Sequence, residues 1–184
     1  RNNYLQTQML AMNQLDVVKN LPALTDLMAY LQEHAGLQRK LEFLPDTAQL
    51  QQRLTNGQGF ANPEIAVLMA YSKMHLQDAL LAGDLPDDVA FNTVLVDYFP
   101  QAMQPQYLYE MENHYWRREI IANQVANQVV NRMGISFVQR LSTEMGRSLD
   151  DVVRAYWIAS GLYQAEQYFV RIESWDNQVN AELQ

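Results

Sequence analysis

The side chains suited to acid–base, metal or nucleophilic chemistry are scattered along this chain. His34, His75 and His114 are its three histidines. None stands in an H-x-x-x-H or H-E-x-x-H group or at ligand spacing from a carboxylate, so they read as surface or helix-end residues. Carboxylates pair at Asp87-Asp88, Asp150-Asp151 and Glu110/Glu112. The first two pairs fall at expected helix starts, where negative charge complements the free N–H groups. That accounts for them without general acid–base work. Lys73 lies near Tyr71 and His75 but has neither a dry site nor a partner to activate it, and reads as solvent-facing or salt-bridged. No G-x-G-x-x-G or G-x-x-x-x-G-K-[ST] loop is present to cradle a phosphate, and no G-x-S-x-G elbow presents a serine. Cysteine is absent, which excludes disulfides, thiolate metal sites and cysteine nucleophiles. No catalytic, cofactor-binding or metal-ligating residue is expected here.

The most informative stretch runs from Trp116 to Gly134. Ile121, Val125 and Val129 form one apolar line, widened by Ile120 and Val130. A helix this apolar is central. Asn123, Asn127 and Asn131 stack on a second stripe, four apart, with Arg117, Arg118 and Arg132 at the two ends. A buried amide left unpaired costs about 1–3 kcal/mol, so the stripe is expected to bridge neighbouring helices and fix their register. Its functional alternative is a ligand-lining or interface role for Arg117, Arg118, Asn123, Asn127, Asn131 and Arg132.

Those residues need helices to position them. Of 184 residues, 48% are hydrophobic and 18% charged, against about 25% charged in an average domain. The formal net charge of -8 argues against a nucleic-acid partner. No apolar run approaches the roughly 18 residues of a membrane span, so no membrane partner is expected. Apolar residues recur at helical spacing, with glycine and proline as punctuation. The expected fold is all-α, an irregular bundle of about nine to ten helices in a single domain over residues 1–184.

The spacing predicts a first helix over 2–19, through Leu5, Met9, Met12, Leu15 and Val18, with no capping residue ahead of it; Arg1 at the start suggests a cut from a longer protein. Pro22 suits the first turn of a second helix, which stops at Gly36. Leu37 to Leu44 is a short third helix closed by Pro45. Asp46 or Thr47 caps a fourth. Asn56-Gly57-Gln58-Gly59 is a loop. Asn62 caps a helix with Pro63 in its first turn, an inward stripe of Ile65, Leu68, Met69, Ser72, Leu76 and Leu80, and an end at Gly83. Further helices pass through Val94 and Tyr98, and from Gln101 to Asn113 with its early turns disturbed by Pro105. Others cover Tyr115 to Met133 and Ile135 to Met145, ended by Gly134 and Gly146. Ser148-x-x-Asp151 opens the next like a capping box. Tyr163 to Trp175 continues in helical register, and Val179 and Leu183 open one more. Tyr163, Tyr168, Phe169 and Trp175 cluster near that end and are either a docking face or local core. Tyr30-x-x-x-His34 and Tyr71-x-x-x-His75 echo one another, but the residues around them do not repeat.

Several segments resemble the large bacterial NAD-specific glutamate dehydrogenases, in the same order. They are Asn3-Tyr4-Leu5-Gln6-Thr7-Gln8, Leu41-Glu42-Phe43-Leu44-Pro45, and Asn62-Pro63-Glu64-Ile65-Ala66-Val67-Leu68-Met69-Ala70-Tyr71-Ser72-Lys73. Leu85-Pro86-Asp87-Asp88 and Tyr98-Phe99-Pro100 follow. Arg117-Arg118-Glu119-Ile120-Ile121, Ala126-Asn127 and Val130-Asn131-Arg132-Met133-Gly134 complete the set. Asn62 and Asn123 stand where that family usually has threonine. The resemblance implies a parent enzyme of amino-acid catabolism, located in the cytoplasm, that oxidatively deaminates L-glutamate to 2-oxoglutarate and ammonia and reduces NAD. It implies that this chain is the helical C-terminal region, with the catalytic residues and nucleotide-binding glycines upstream and no cofactor of its own. The partners it implies are the catalytic region of the same chain and further subunits in a homo-oligomer. Two rival readings are an amino-acid-sensing domain, with the Asn stripe and Arg118 or Arg132 lining the pocket, and a free-standing protein-interaction module.

Overall fold

A computed structural model describes residues 17–175 and 178, and everything below refers to these residues. Nine α-helices follow one another, joined by turns and two short 3-10 segments, with no strand among the described residues. They are α1 (Val17–His34), α2 (Thr47–Thr55), α3 (Asn62–Ala82), α4 (Asn92–Tyr98), α5 (Gln104–Glu112), α6 (Arg117–Met133), α7 (Phe137–Met145), α8 (Leu149–Leu162) and α9 (Ala165–Ser174). The expected all-α bundle is the fold. Residues 2–16 of the expected first helix, and Val179 and Leu183 of the last, lie outside the described residues.

Pro22 does not open a helix; it sits inside α1. An interior proline costs about 3 kcal/mol through its missing N–H and its ring. The same helix buries Leu21, Leu24, Leu27, Met28 and Leu31, each contributing about 1.5–3 kcal/mol. The apolar stripe therefore outweighs the proline.

Leu37 to Leu44 is not a helix but an irregular turn. Its two ends are buried leucines, Leu37 and Leu44. One helical bond forms, Glu42 N–H to Gln38 C=O at 3.0 Å, before Phe43 turns left-handed at φ 54. Leu44 N–H then reaches back to Arg39 C=O at 2.8 Å. Pro45 disfavours helical backbone at Leu44, which is the local reason the turn cannot propagate.

Asp46 then caps α2 in a reciprocal box with Gln49, with both bonds at 2.8 Å. The cap of α3 lies one residue earlier than expected, at Ala61, with Pro63 within the first two helical positions. Glu64 explains the shift: its carboxylate accepts the Ala61 N–H at 2.7 Å and pairs with both terminal nitrogens of Arg53, at 2.6 and 2.9 Å. The expected stripe of Ile65, Leu68, Met69, Ser72, Leu76 and Leu80 is the buried face of α3.

Helix α6 lies against that face. Arg118 meets the C-terminal end of α3, and Asn123 meets Gln77 one turn nearer its middle, so the two helices run antiparallel. Ile121, Val125 and Val129 are fully buried between α3, α4 and the 3-10 segment at Leu85–Asp87. Gly134, at φ 98, ends α6 with a conformation other residues resist. In α5 the backbone at Tyr107 leaves helical geometry, in line with the disturbance expected from Pro105. Ser148 caps α8 by accepting the Asp151 N–H at 3.1 Å. The stretch Tyr163 to Trp175 is not continuous: Gln164 turns left-handed at φ 53 and re-aims the chain into α9. That turn brings Glu166 and Phe169 onto Arg132, a contact unavailable to a straight extension of α8.

Candidate functional site

The polar residues of α6 separate into three groups. At its start, Arg118 donates to the carbonyls of Leu81 (2.8 Å) and Gly83 (3.0 Å), which α3 leaves unpaired at its end, and also pairs with Asp87. Arg117 donates to Asn92 at 3.0 Å and lies 3.6 Å from Asp87. In the middle, Asn123 donates to Gln77 on α3 at 3.0 Å. Asn127 bonds its own helix, donating to the Asn123 carbonyl at 2.9 Å and to its side-chain oxygen at 3.2 Å. Asn131 is 4% exposed, and neither its amide nitrogen nor its oxygen has a hydrogen-bond partner among the described residues. The expected bridging between helices is thus carried by Asn123 and by neither of the other two.

At the far end, Arg132 is almost wholly buried and grips Glu166 through both terminal nitrogens, one of them at 3.0 Å. Its guanidinium carbon lies 4.6 Å above the Phe169 ring. The six singled-out residues therefore do not converge on one pocket: the two ends of α6 serve different neighbours.

Sequence reasoning missed an ionic clasp. Arg154 on α8 reaches Asp150 (2.7 Å), Asp88 (3.0 Å) and Asp84 (2.6 Å). With Arg117 and Arg118 on Asp87, the turn Asp84–Asp88 is held from both sides, by α6 and by α8. The carboxylates that look like helix-start charges in the sequence are mostly ion-pair partners here. Asp88 and Asp150 are both: Asp88 also caps Ala90 N–H at 2.9 Å, and Asp150 lies with Asp151 in the first turn of α8. Arginine forks match such bidentate geometry, which is why one residue can serve three acids.

The second missed feature joins α1 to α3. The Tyr30 hydroxyl and His75 Nε2 are 3.1 Å apart, and the His34 ring lies 4.4 Å from Tyr30 and 6.4 Å from His75. The echoing Tyr-x-x-x-His steps were its signal, because they mark two helices whose polar rows meet. A cavity of about 20 Å³ lies beside the pair, lined by Leu27, Tyr30, Ser72, His75, Val130 and Ile135 among others. That is room for about one water. None of the six α6 residues lines it. Burial lowers the His75 pKa, His34 lowers it further, and Asp78 opposes both. Burial likewise lowers the pKa of Lys73, which is half-buried rather than solvent-facing. Among the described residues no group of three or more His, Cys, Asp or Glu side chains is placed to hold a metal ion.

A dinucleotide is commonly bound where a strand feeds a glycine-rich turn into a helix N-terminus. The described residues contain no strand, and the N-termini of α2, α3 and α8 are occupied by Asp46, Glu64 and Ser148.

The surface offers a clearer feature. Ile158, Leu162, Tyr163 and Tyr168 on and between α8 and α9 are 64–75% exposed, and α9 contributes no buried side chain. Phe169 has Arg132 as a local partner, and Trp175 has Arg171 at 5.5 Å. Of the four aromatic residues singled out near this end, Tyr163 and Tyr168 are clearly not core. No helix of the described residues is long and apolar enough to cross a membrane.

Comparison with known proteins places the sequence in a family. A family model described as glutamate dehydrogenase, C-terminal, matches residues 57–184. The NAD-specific glutamate dehydrogenase of Pseudomonas aeruginosa is 38% identical over 183 residues, and that of Halomonas elongata is 36% identical over 183 residues. The NAD-specific glutamate dehydrogenase of Mycobacterium tuberculosis is 30% identical over 173 residues. The first two alignments cover 100% of this chain and the third 94%, yet the chain spans only 11% of the length of each relative. With more than half of its residues inside the matched model, this chain belongs to the glutamate dehydrogenase C-terminal family.

Proposed function

We propose that this chain is the non-catalytic helical C-terminal domain of an NAD-dependent glutamate dehydrogenase. The parent enzyme deaminates L-glutamate oxidatively to 2-oxoglutarate and ammonia in the cytoplasm, and its catalytic residues and NAD site lie in the rest of the polypeptide. The domain's work is to pack against the catalytic region and to support its geometry, with subunit contacts in a homo-oligomer as a further task. The observation that carries this reading is the exposed apolar face of α8 and α9. A helix with no buried side chain and rows of exposed aromatic and aliphatic residues offers an apolar face to a partner surface. The relatives are about nine times as long as this chain, which leaves ample polypeptide for such a surface.

What supports packing over an amino-acid pocket is the state of the two arginines. Arg118 and Arg132 already direct their donors at Asp87, the end of α3 and Glu166. A carboxylate ligand would have to displace these partners.

The test uses two proteins. The isolated chain, titrated by calorimetry with NAD and with L-glutamate, should give no saturable heat. In the intact polypeptide, Tyr168→Glu should lower the thermal midpoint of the catalytic region and reduce turnover several-fold, while leaving the fold of the isolated chain unchanged. Saturable NAD binding by the isolated chain, or an intact Y168E enzyme indistinguishable from wild type, would refute the proposal.

A further inference from the structure

Phe43 is 90% exposed, and its backbone is left-handed at φ 54. The exposed ring does nothing to offset so unusual a backbone. A bulky residue at positive φ is strained, whereas glycine takes the same backbone freely. Strain of this kind is commonly offset by burying the side chain, and here the ring buries almost nothing.

The turn that carries it is nonetheless firmly held. Leu37 and Leu44 are buried at its ends. The Arg39 guanidinium donates to the Pro45 carbonyl, with Nε at 3.1 Å. The Tyr71 hydroxyl of α3 donates to the Glu42 carboxylate at 2.8 Å. Leu44 N–H closes on Arg39 C=O at 2.8 Å. The residues on either side of Phe43 are thus tied to the body of the domain, and the ring is pushed outward, with Leu41 (66% exposed) close by in sequence. A rigid base, an outward aromatic ring and a backbone strained to present it are the features of an interface anchor.

We infer that Phe43 is a docking anchor whose ring enters an apolar pocket on the part of the parent polypeptide outside these 184 residues. The inference rests on the packing reading above. One observation chooses this occupant over a second copy of the chain. The relatives place about nine-tenths of their length outside the matched region, in one covalent chain with it, so the contact forms at high effective concentration.

The experiment places the photo-crosslinker p-benzoylphenylalanine at position 43 in the intact polypeptide, and separately at position 168 on α9. The expected result is a crosslink from position 43 to a peptide outside residues 1–184 of the same chain. A crosslink to residues 1–184, of the same or another copy, overturns the inference, and so does the absence of any crosslink. If position 168 crosslinks outside the domain and position 43 does not, the anchor fails while the packing reading survives. If neither does, both fail. A companion measurement on the isolated chain tests the strain: Phe43→Gly should leave the thermal midpoint unchanged or raise it by about 2 °C. A fall would show that the ring serves the domain's own fold, and would also overturn the inference.

Discussion

The Tyr30 hydroxyl stands 3.1 Å from His75 Nε2, joining α1 to α3 through two residues forty-five positions apart in sequence. Because burial lowers the His75 pKa, the folded state favours the neutral ring. The unfolded chain then binds more protons in the window below the ordinary histidine value of about 6.5. The contribution to stability is fully present above that pH and is lost as pH falls through the lowered folded value. His75→Asn should therefore show a flatter midpoint between pH 8 and 5 than wild type. Thermal melts of both proteins across that range check it, and parallel profiles would refute it.

Asn131 makes the opposite kind of prediction. Its amide is buried with no partner among the described residues, and such a group costs about 1–3 kcal/mol. Asn131→Val is closer in volume than leucine and removes the cost. The expected outcome is a midpoint raised by about 2–4 °C for each kcal/mol recovered. A lowered midpoint in differential scanning calorimetry would show that the amide does useful work.

Arg132 holds α9, which has no buried side chain of its own. Arg132→Met removes the grip on Glu166 and the cation over Phe169 while keeping an apolar stem. Amide exchange over residues 165–174 should quicken about tenfold, the equivalent of about 1.4 kcal/mol, with little change in α3 or α6. Uniform quickening along the whole chain would mean that Arg132 supports the core instead.

Gly83 tests the ionic clasp. A Cβ at this position would lie 2.9 Å from Asp150 Oδ1. Asp150 cannot easily retreat, because it is engaged by Arg154 at 2.7 Å. Gly83→Ala should cost about 1–2 kcal/mol, and Asp150→Ala should relieve most of that cost in the double variant. Urea unfolding of the two single variants and the double variant measures the coupling. Strict additivity would show that the two sites do not meet.

The local elements were legible before any coordinates. The inward stripe of α3 and the apolar lines of α6 follow from helical periodicity, and the stops at Gly134 and Gly146 from glycine's backbone freedom, which are properties of short windows. The family was legible too, because its motifs are strings of adjacent residues. The failures were of another kind. Pro22 was misplaced because a proline's local cost was outweighed by leucines packing on other helices. Leu37 to Leu44 was misread because its apolar spacing suits a helix, while Pro45 and two buried ends make it a turn. The break at Gln164 goes with contacts of Glu166 and Phe169 to Arg132, remote in sequence.

The candidate site divides along the same line. That Arg117, Arg118, Asn123, Asn127, Asn131 and Arg132 share one helix is a matter of spacing, readable from the chain. Which of them bridges, which caps and which is stranded depends on what lies opposite, and hydrogen bonds and ion pairs fall off within a few ångströms. The sequence by itself determined the helices and the kinship. Only the tertiary structure decided that Arg154 gathers three aspartates, that two Tyr-x-x-x-His steps face each other, and that Phe43 points outward. Each of these depends on residues brought within about 3 Å, or kept apart, by the packing of remote helices.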